Sequence, residues 1–218
     1  MDIQEFSGVQ EGPADPILSL SIRYKADTFE KKVNLGVGAY RDNDGKPYIF
    51  PVVKKAEEII CADKSLDKEY SPIDGDQEFN RGARGVLFGF DHKDVTDGRV
   101  ATCQTLSGSG ALRLIGEFLH KFRPGPIYMS NPTWGNHPKI FELLGTETRQ
   151  YRYFDPKTNG LDFDGMIEDL KNAEEGACVL LHTCAHNPTG VDPTLDQWKK
   201  IAEVCKERKL FPWFDTAY

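Results

Sequence analysis

Four short segments place groups that bind anions, stack on rings or move protons at the ends of apolar runs. Ser107-Gly-Ser-Gly110 follows one such run and opens a helical pattern. Its glycines let the backbone approach a ligand, and a helix N-terminus offers free N–H groups and a positive dipole end, both suited to phosphate. The same residues also read as a serine-capped helix with a tight turn. They are not a Walker A loop, because no Gly-Lys-Ser/Thr follows. Pro132-Thr-Trp-Gly-Asn-His137 puts Trp134 where it could stack on a planar ring, or simply rim a core. His182-Thr-Cys-Ala-His-Asn-Pro-Thr-Gly190 crowds two histidines and an amide around a turn signal. A metal is the weaker reading there, since His182 and His186 lie on a strand-to-turn segment and no Glu stands between them. Phe214-Asp-Thr-Ala-Tyr218 ends an apolar run on a carboxylate, which needs a partner: a cap, an arginine or a protonated ring nitrogen.

Those groups need a scaffold, and the chain supplies a regular one from about residue 98. Strand patterns at 100–106, 126–130, 148–153, 177–182 and 210–215 alternate with helical patterns at 109–122, 135–144, 162–172 and 194–209. That alternation predicts an α/β domain on a largely parallel sheet, with ligands at the carboxyl ends of the strands. Upstream, residues 1–15 read as a polar arm. Ile17, Leu18, Leu20 and Ile22 start a short apolar segment. Lys32 to Arg41 reads as a strand with close backbone approach at Gly36 and Gly38, and Pro51 opens a helix through Asp63. The last strand pattern has no helix after it, so the sheet is expected to be part of a larger domain.

Composition narrows the partners. Net charge is -7 and the pI is near 5.3, against nucleic acid as the main ligand. The five cysteines are scattered and lack a Cys-x-x-Cys pair, which predicts a reducing compartment and no structural zinc. No apolar run approaches the roughly 18 residues of a membrane span. The first residues show neither a signal peptide nor an arginine-rich transit peptide, so a cytoplasmic protein is expected.

Taken together, six segments resemble the aspartate aminotransferases, in that family's order and spacing: Val33–Arg41, Glu69–Ile73, Gln104–Arg113, Asn131–His137, His182–Gly190 and Phe214–Tyr218. The resemblance runs from about Pro16 to Tyr218. It implies the large domain of a fold-type-I pyridoxal-phosphate-dependent transferase, incomplete at its C-terminal side, over 48–218. Residues 16–47 would be the N-terminal part of the small domain, and 1–15 an arm crossing to the other subunit of a homodimer. Asp215 would meet the pyridinium nitrogen of pyridoxal 5'-phosphate, and Asn187 and Tyr218 its phenolic oxygen. Trp134 would stack on the ring. Ser107, Gly108 and Ser109 would bind the phosphate, with Ser109 standing where relatives commonly carry Thr. Tyr70 would reach the phosphate in the partner subunit. Gly38, Trp134 and Asn187 would meet the dicarboxylate substrate, and Ile17 and Leu18 would line the mouth of the site. His137 and His182 would orient Asp215.

The implied reaction is exchange of the amino group between L-aspartate and 2-oxoglutarate, giving oxaloacetate and L-glutamate. The family's Schiff-base lysine follows the Asp-x-Ala-Tyr segment by a few dozen residues, and no lysine of this chain lies in a matching segment. The chain alone is therefore expected to be inactive. Two other readings stay open: a non-enzymatic cofactor-binding or dimerising protein, and an aminotransferase of aromatic specificity.

Overall fold

The computed structural model describes residues 7–10, 16–34, 36 and 38–218, the side chains of 16–18 excepted. Most of the expected arm, and the side chains of Ile17 and Leu18, therefore lie outside the described residues. The chain forms two compact units, Met1–Tyr70 and Ser71–Tyr218.

The first unit holds helices α1 (Pro16–Ala26) and α2 (Pro51–Ala62). Pro51 sits in the first turn of α2, where its missing N–H is no loss. Between the helices, the rings of Tyr40, Tyr48 and Phe50 cluster with centroids 4.7–5.8 Å apart. The strand expected over Lys32–Arg41 does not form among the described residues. Arg41 makes only an isolated bridge to Pro47, and the Gly36 N–H donates to its own neighbour, Asn34 Oδ1. A local side-chain turn takes the hydrogen bond that a ladder would have used. Leu35 and Val37 lie outside the described residues.

The second unit opens with α3 (Gln77–Phe88) and α4 (Lys93–Thr96), neither of them anticipated from sequence. The strand expected at 100–106 is instead irregular. Its recorded backbone bond runs from Gln104 N–H to Asp74 O, so the segment is tied to a loop rather than to a ladder. From α5 (Ser107–Phe122) onward the alternation is as read, apart from one small hairpin that the sequence did not suggest. It continues through β1 (Ile127–Asn131), α6 (Asn136–Glu142), β2 (Thr148–Arg152), a small hairpin of β3 (Phe154–Asp155) and β4 (Gly160–Leu161), α7 (Phe163–Asn172), β5 (Cys178–His182), α8 (Leu195–Glu207) and β6 (Phe211–Asp215).

The main sheet is parallel throughout, in the order β2-β1-β5-β6. Residue alternation splits its core in two. Tyr128, Tyr151, Val179 and Leu181 face α7 and α8 residues such as Leu170 and Val204. Ile127, Met129, Leu180 and Trp213 face Leu112 and Leu119 of α5 and Phe141 of α6. Gly116 of α5 allows this contact, because a Cβ there would stand 2.5 Å from Leu144 Cδ1. Among the described residues no helix is long and apolar enough to cross a membrane, and no group of three or more acidic, cysteine or histidine side chains is placed to hold a metal.

Candidate functional site

The chain leaves β1 toward β2 on one side and returns to β5 on the other. The loops after β1 and β5 therefore diverge, and a crevice opens at the carboxyl ends of the central strands. A cavity of about 260 Å³ lies there, lined by Ser107, Gly108, Ser109, Leu112, Trp134, His182, Cys184, Asn187, Asp215, Ala217 and Tyr218. All four segments singled out from sequence thus meet in one place. Tyr70 and Gly38 belong to the other unit, where Tyr70 is 97% exposed and Gly38 is exposed as well.

At one end of the cavity stands the start of α5. Leu106 occupies the cap position and no side chain caps the helix, so its first amides are available. Ser107 holds a φ of 57°, in the left-handed region that non-glycine residues rarely occupy. At the other end, β6 delivers the Asp215 carboxylate, 23% exposed at its side chain, onto His137, which is fully buried at the start of α6. Trp134 meets the His137 ring edge-on at 5.3 Å. Asn187 Nδ2 lies 3.4 Å from Tyr218 Oη, so two polar groups converge on one point of the cavity.

His182 and His137 are linked through Thr133. The backbone N–H of Asn187 can only donate, so His182 Nδ1 accepts it, at 3.1 Å. Burial, reinforced by the neighbouring His137, pushes His182 down to about 4, so it is neutral near pH 7. Its proton then sits on Nε2 and points to Thr133 Oγ1 at 3.2 Å. Thr133 Oγ1 also bonds His137 Nδ1, at 2.8 Å. The Asp215 carboxylate can only accept, so His137 Nε2–H donates to Asp215 Oδ2 at 3.0 Å. This last bond outweighs burial and holds the Asp215 carboxyl below its ordinary range. The result is a partly buried, ionised carboxylate facing a cavity whose far end is a helix N-terminus.

On the opposite face, His186 stacks on His182 at 4.2 Å and on Tyr153 at 3.9 Å. It bonds Ser130 Oγ and Thr189 Oγ1, both at 2.8 Å. Burial drives it down to about 3. Each ring nitrogen is thus satisfied by protein hydroxyls, an arrangement that needs no metal. Thr133, Cys184 and Leu112 belong to this site without having been singled out. Thr133 lies inside a quoted segment, four residues before His137, and that spacing was its available signal.

Comparison with known proteins agrees with the geometry. The family model described as aminotransferase class I and II matches residues 30–218. The cytoplasmic aspartate aminotransferase of Oryza sativa subsp. japonica is 51% identical over 98% of this chain and 53% of its own length. The mitochondrial aspartate aminotransferase of Dictyostelium discoideum is 50% identical over 98% of this chain and 50% of its own. Among solved structures, the aspartate aminotransferase of Saccharomyces cerevisiae cytoplasm superposes with a TM-score of 0.91 at 39% identity, covering 99% of this chain and 52% of that one. An aromatic-amino-acid aminotransferase from Burkholderia pseudomallei, covalently bound to pyridoxal phosphate, gives 0.92 at 42%, covering 100% of this chain and 54% of that one. The chain spans about half the length of the relatives it matches, and relatives carry cytoplasmic, mitochondrial and chloroplastic names. With the family model matching from residue 30 onward and the fold shared at that level of identity, the chain belongs to the class I and II aminotransferases.

Proposed function

We propose that this chain cradles pyridoxal 5'-phosphate for an aspartate aminotransferase, acting on L-aspartate and 2-oxoglutarate. The observation that carries the reading is the pairing of two opposite ends in one cavity: an uncapped helix start and an ionised carboxylate. A phosphate ester of a basic ring has matching ends, so the residues fit the cofactor. When bound, the protonated ring supplies an electron sink for negative charge developing at the substrate Cα.

Each residue then has a defined task. Ser107, Gly108 and Ser109 bind the phosphate through the first amides and hydroxyls of α5. Asp215, kept ionised by His137, holds the proton at the ring nitrogen. His182 and Thr133 hold the His137 ring in place behind it. Asn187 and Tyr218 donate to the ring oxygen, with Asn187 also meeting the substrate carboxylate. Trp134 covers the ring face. Gly38 meets the same carboxylate through its backbone, and Tyr70 serves the phosphate of the partner subunit in a homodimer. This assigns 48–218 to the cofactor domain, 16–47 to the small domain and 1–15 to the exchanged arm. A cytoplasmic location belongs to the same proposal, on the likeness to relatives such as the rice enzyme. Aromatic substrates are the second reading, favoured by the aromatic-amino-acid aminotransferases among the structural neighbours.

The test is pyridoxal-phosphate titration of the 218-residue protein, followed by tryptophan fluorescence. Quenching is expected, and Asp215→Ala should weaken affinity at least tenfold, as loss of a charge-assisted bond does. Equal affinity in the variant would remove Asp215 from the ring.

A further inference from the structure

Asn187 lies in the turn after β5 with two of its groups engaged. Its Nδ2 reaches toward Tyr218, and its backbone N–H enters His182. Two residues earlier, Ala185 holds a φ of 48°. That left-handed conformation is unfavourable for any residue with a Cβ, and the exposed methyl of Ala185 cannot hold it in place. Asp192 can. Its Oδ2 accepts the Ala185 N–H at 2.7 Å, and its Oδ1 accepts the His186 N–H at 2.9 Å. Both oxygens of one carboxylate thereby grip two consecutive amides, in charge-assisted bonds. The Gly190 N–H donates to His186 O at 2.7 Å and closes the turn between them. Asp192 itself does not line the cavity.

We propose that Asp192 is a positioning residue: its grip on the amides of Ala185 and His186 sets the turn that delivers Asn187 to the ring oxygen and to His182. The proposal rests on the reading of Asn187 as a cofactor contact. It has a consequence at the far end of the ring. The Asn187 N–H fixes the His182 tautomer, and hydrogen bonds continue from His182 through Thr133 and His137 to Asp215. One carboxylate outside the cavity therefore couples the contacts at both ends of the ring.

Asp192→Ala and Asp192→Asn in the 218-residue protein test this, with pyridoxal-phosphate affinity, inorganic-phosphate affinity and the His182 titration (by nitrogen-labelled imidazole NMR) as readouts. His182 is faced by His137, His186, Asp215 and Asp192. The Asp192 charge favours protonated His182, so its loss alone would lower the His182 midpoint. Loss of the grip does the reverse, because it frees Nδ1 and admits water. The expected result for Asp192→Ala is a roughly tenfold loss of pyridoxal-phosphate affinity, unchanged inorganic-phosphate affinity, and a His182 midpoint that rises from about 4 toward 6.5. Asp192→Asn keeps one acceptor and should fall between. A His182 midpoint that stays put or drops overturns the proposal. Failure of the unsubstituted protein to bind pyridoxal phosphate would instead sink the proposed function, and the His182 midpoint would still judge Asp192. Should Asp192→Ala fail to fold, Asp192→Asn is held to the same criteria.

Discussion

A neighbour that does not line the cavity holds the Asp215 carboxyl below its ordinary range. His137 Nε2–H donates to that carboxylate, while Nδ1 is engaged by Thr133 Oγ1. Replacing His137 with Phe keeps a ring against Phe141 but removes the donor. The expected cost is about 2 kcal/mol in urea unfolding, the worth of a hydrogen bond to a charged group, with the Asp215 titration moving up from its lowered position. The paired histidines make a separate prediction. His182 and His186 have folded-state values near 4 and 3, below their ordinary 6.5. The unfolded chain therefore takes up more protons as the solution acidifies below pH 6.5. Their contribution to stability is complete above about pH 6.5 and is lost from there down to about 4 for His182 and about 3 for His186. Asp215 adds to this only at lower pH, as its depressed carboxyl protonates. Roughly 2 kcal/mol per buried histidine should be gone by about pH 5. Urea midpoints measured from pH 7.5 to 4.5 should fall steadily, and a flat profile would contradict the neutral assignment.

At the scale of elements, α8 and the loop before α5 show what fixes the frame. Thr194 and Gln197 form a capping box, each side chain bonding the other's backbone N–H. Thr194→Ala should lower stability by about 1 kcal/mol in thermal melts, leaving the cavity intact. Gly75 has a φ of 91°, and a Cβ there would stand 2.3 Å from Gln104 Cβ. Gly75→Ala should cost more, about 1–3 kcal/mol, because it adds left-handed strain to a clash. It should also weaken phosphate binding, since Gln104 leads into Ser107. These two positions mark what could and could not be read beforehand. The helices from α5 onward and the strands of the main sheet followed from apolar spacing between turn signals, whereas the two-residue strands β3 and β4 are too short to show any. The segment 100–106 has the same β-like composition, yet among the described residues no strand pairs with it, and a ladder depends on a partner that composition does not reveal. Helices α3 and α4 are harder to read for a different reason: α3 carries apolar residues at helical spacing, Phe79, Ala83, Val86 and Leu87, but Gly82 and Gly85 interrupt it, and α4 is only four residues long. The cavity residues were legible as motifs. Asp192 was not, since its role depends on two amides across a turn rather than on spacing along an element.

For the whole molecule, the decisive feature is that the two faces of β6 do different things. Trp213 and Asp215 point to the α5–α6 side, where Trp213 packs on Phe141 at 5.2 Å and Asp215 meets His137. Phe214 points the other way, 51% exposed, 5.9 Å from Trp198. It borders a groove of about 690 Å³ lined largely by apolar residues of β6 and α8. β6 is also the edge of the sheet, and among the described residues no strand pairs with its outer N–H and C=O groups. An exposed apolar edge is a template for another copy of itself. The 218-residue protein should therefore self-associate with rising concentration, and Phe214→Lys should raise the monomer fraction in analytical ultracentrifugation. Because alternation puts Phe214 and Asp215 on opposite faces, pyridoxal-phosphate affinity should stay within about twofold of the unsubstituted protein, in the range of a surface change away from the site. A parallel loss of affinity would mean that the edge and the cavity are one cooperative structure, with β6 held in register by the groove as much as by β5.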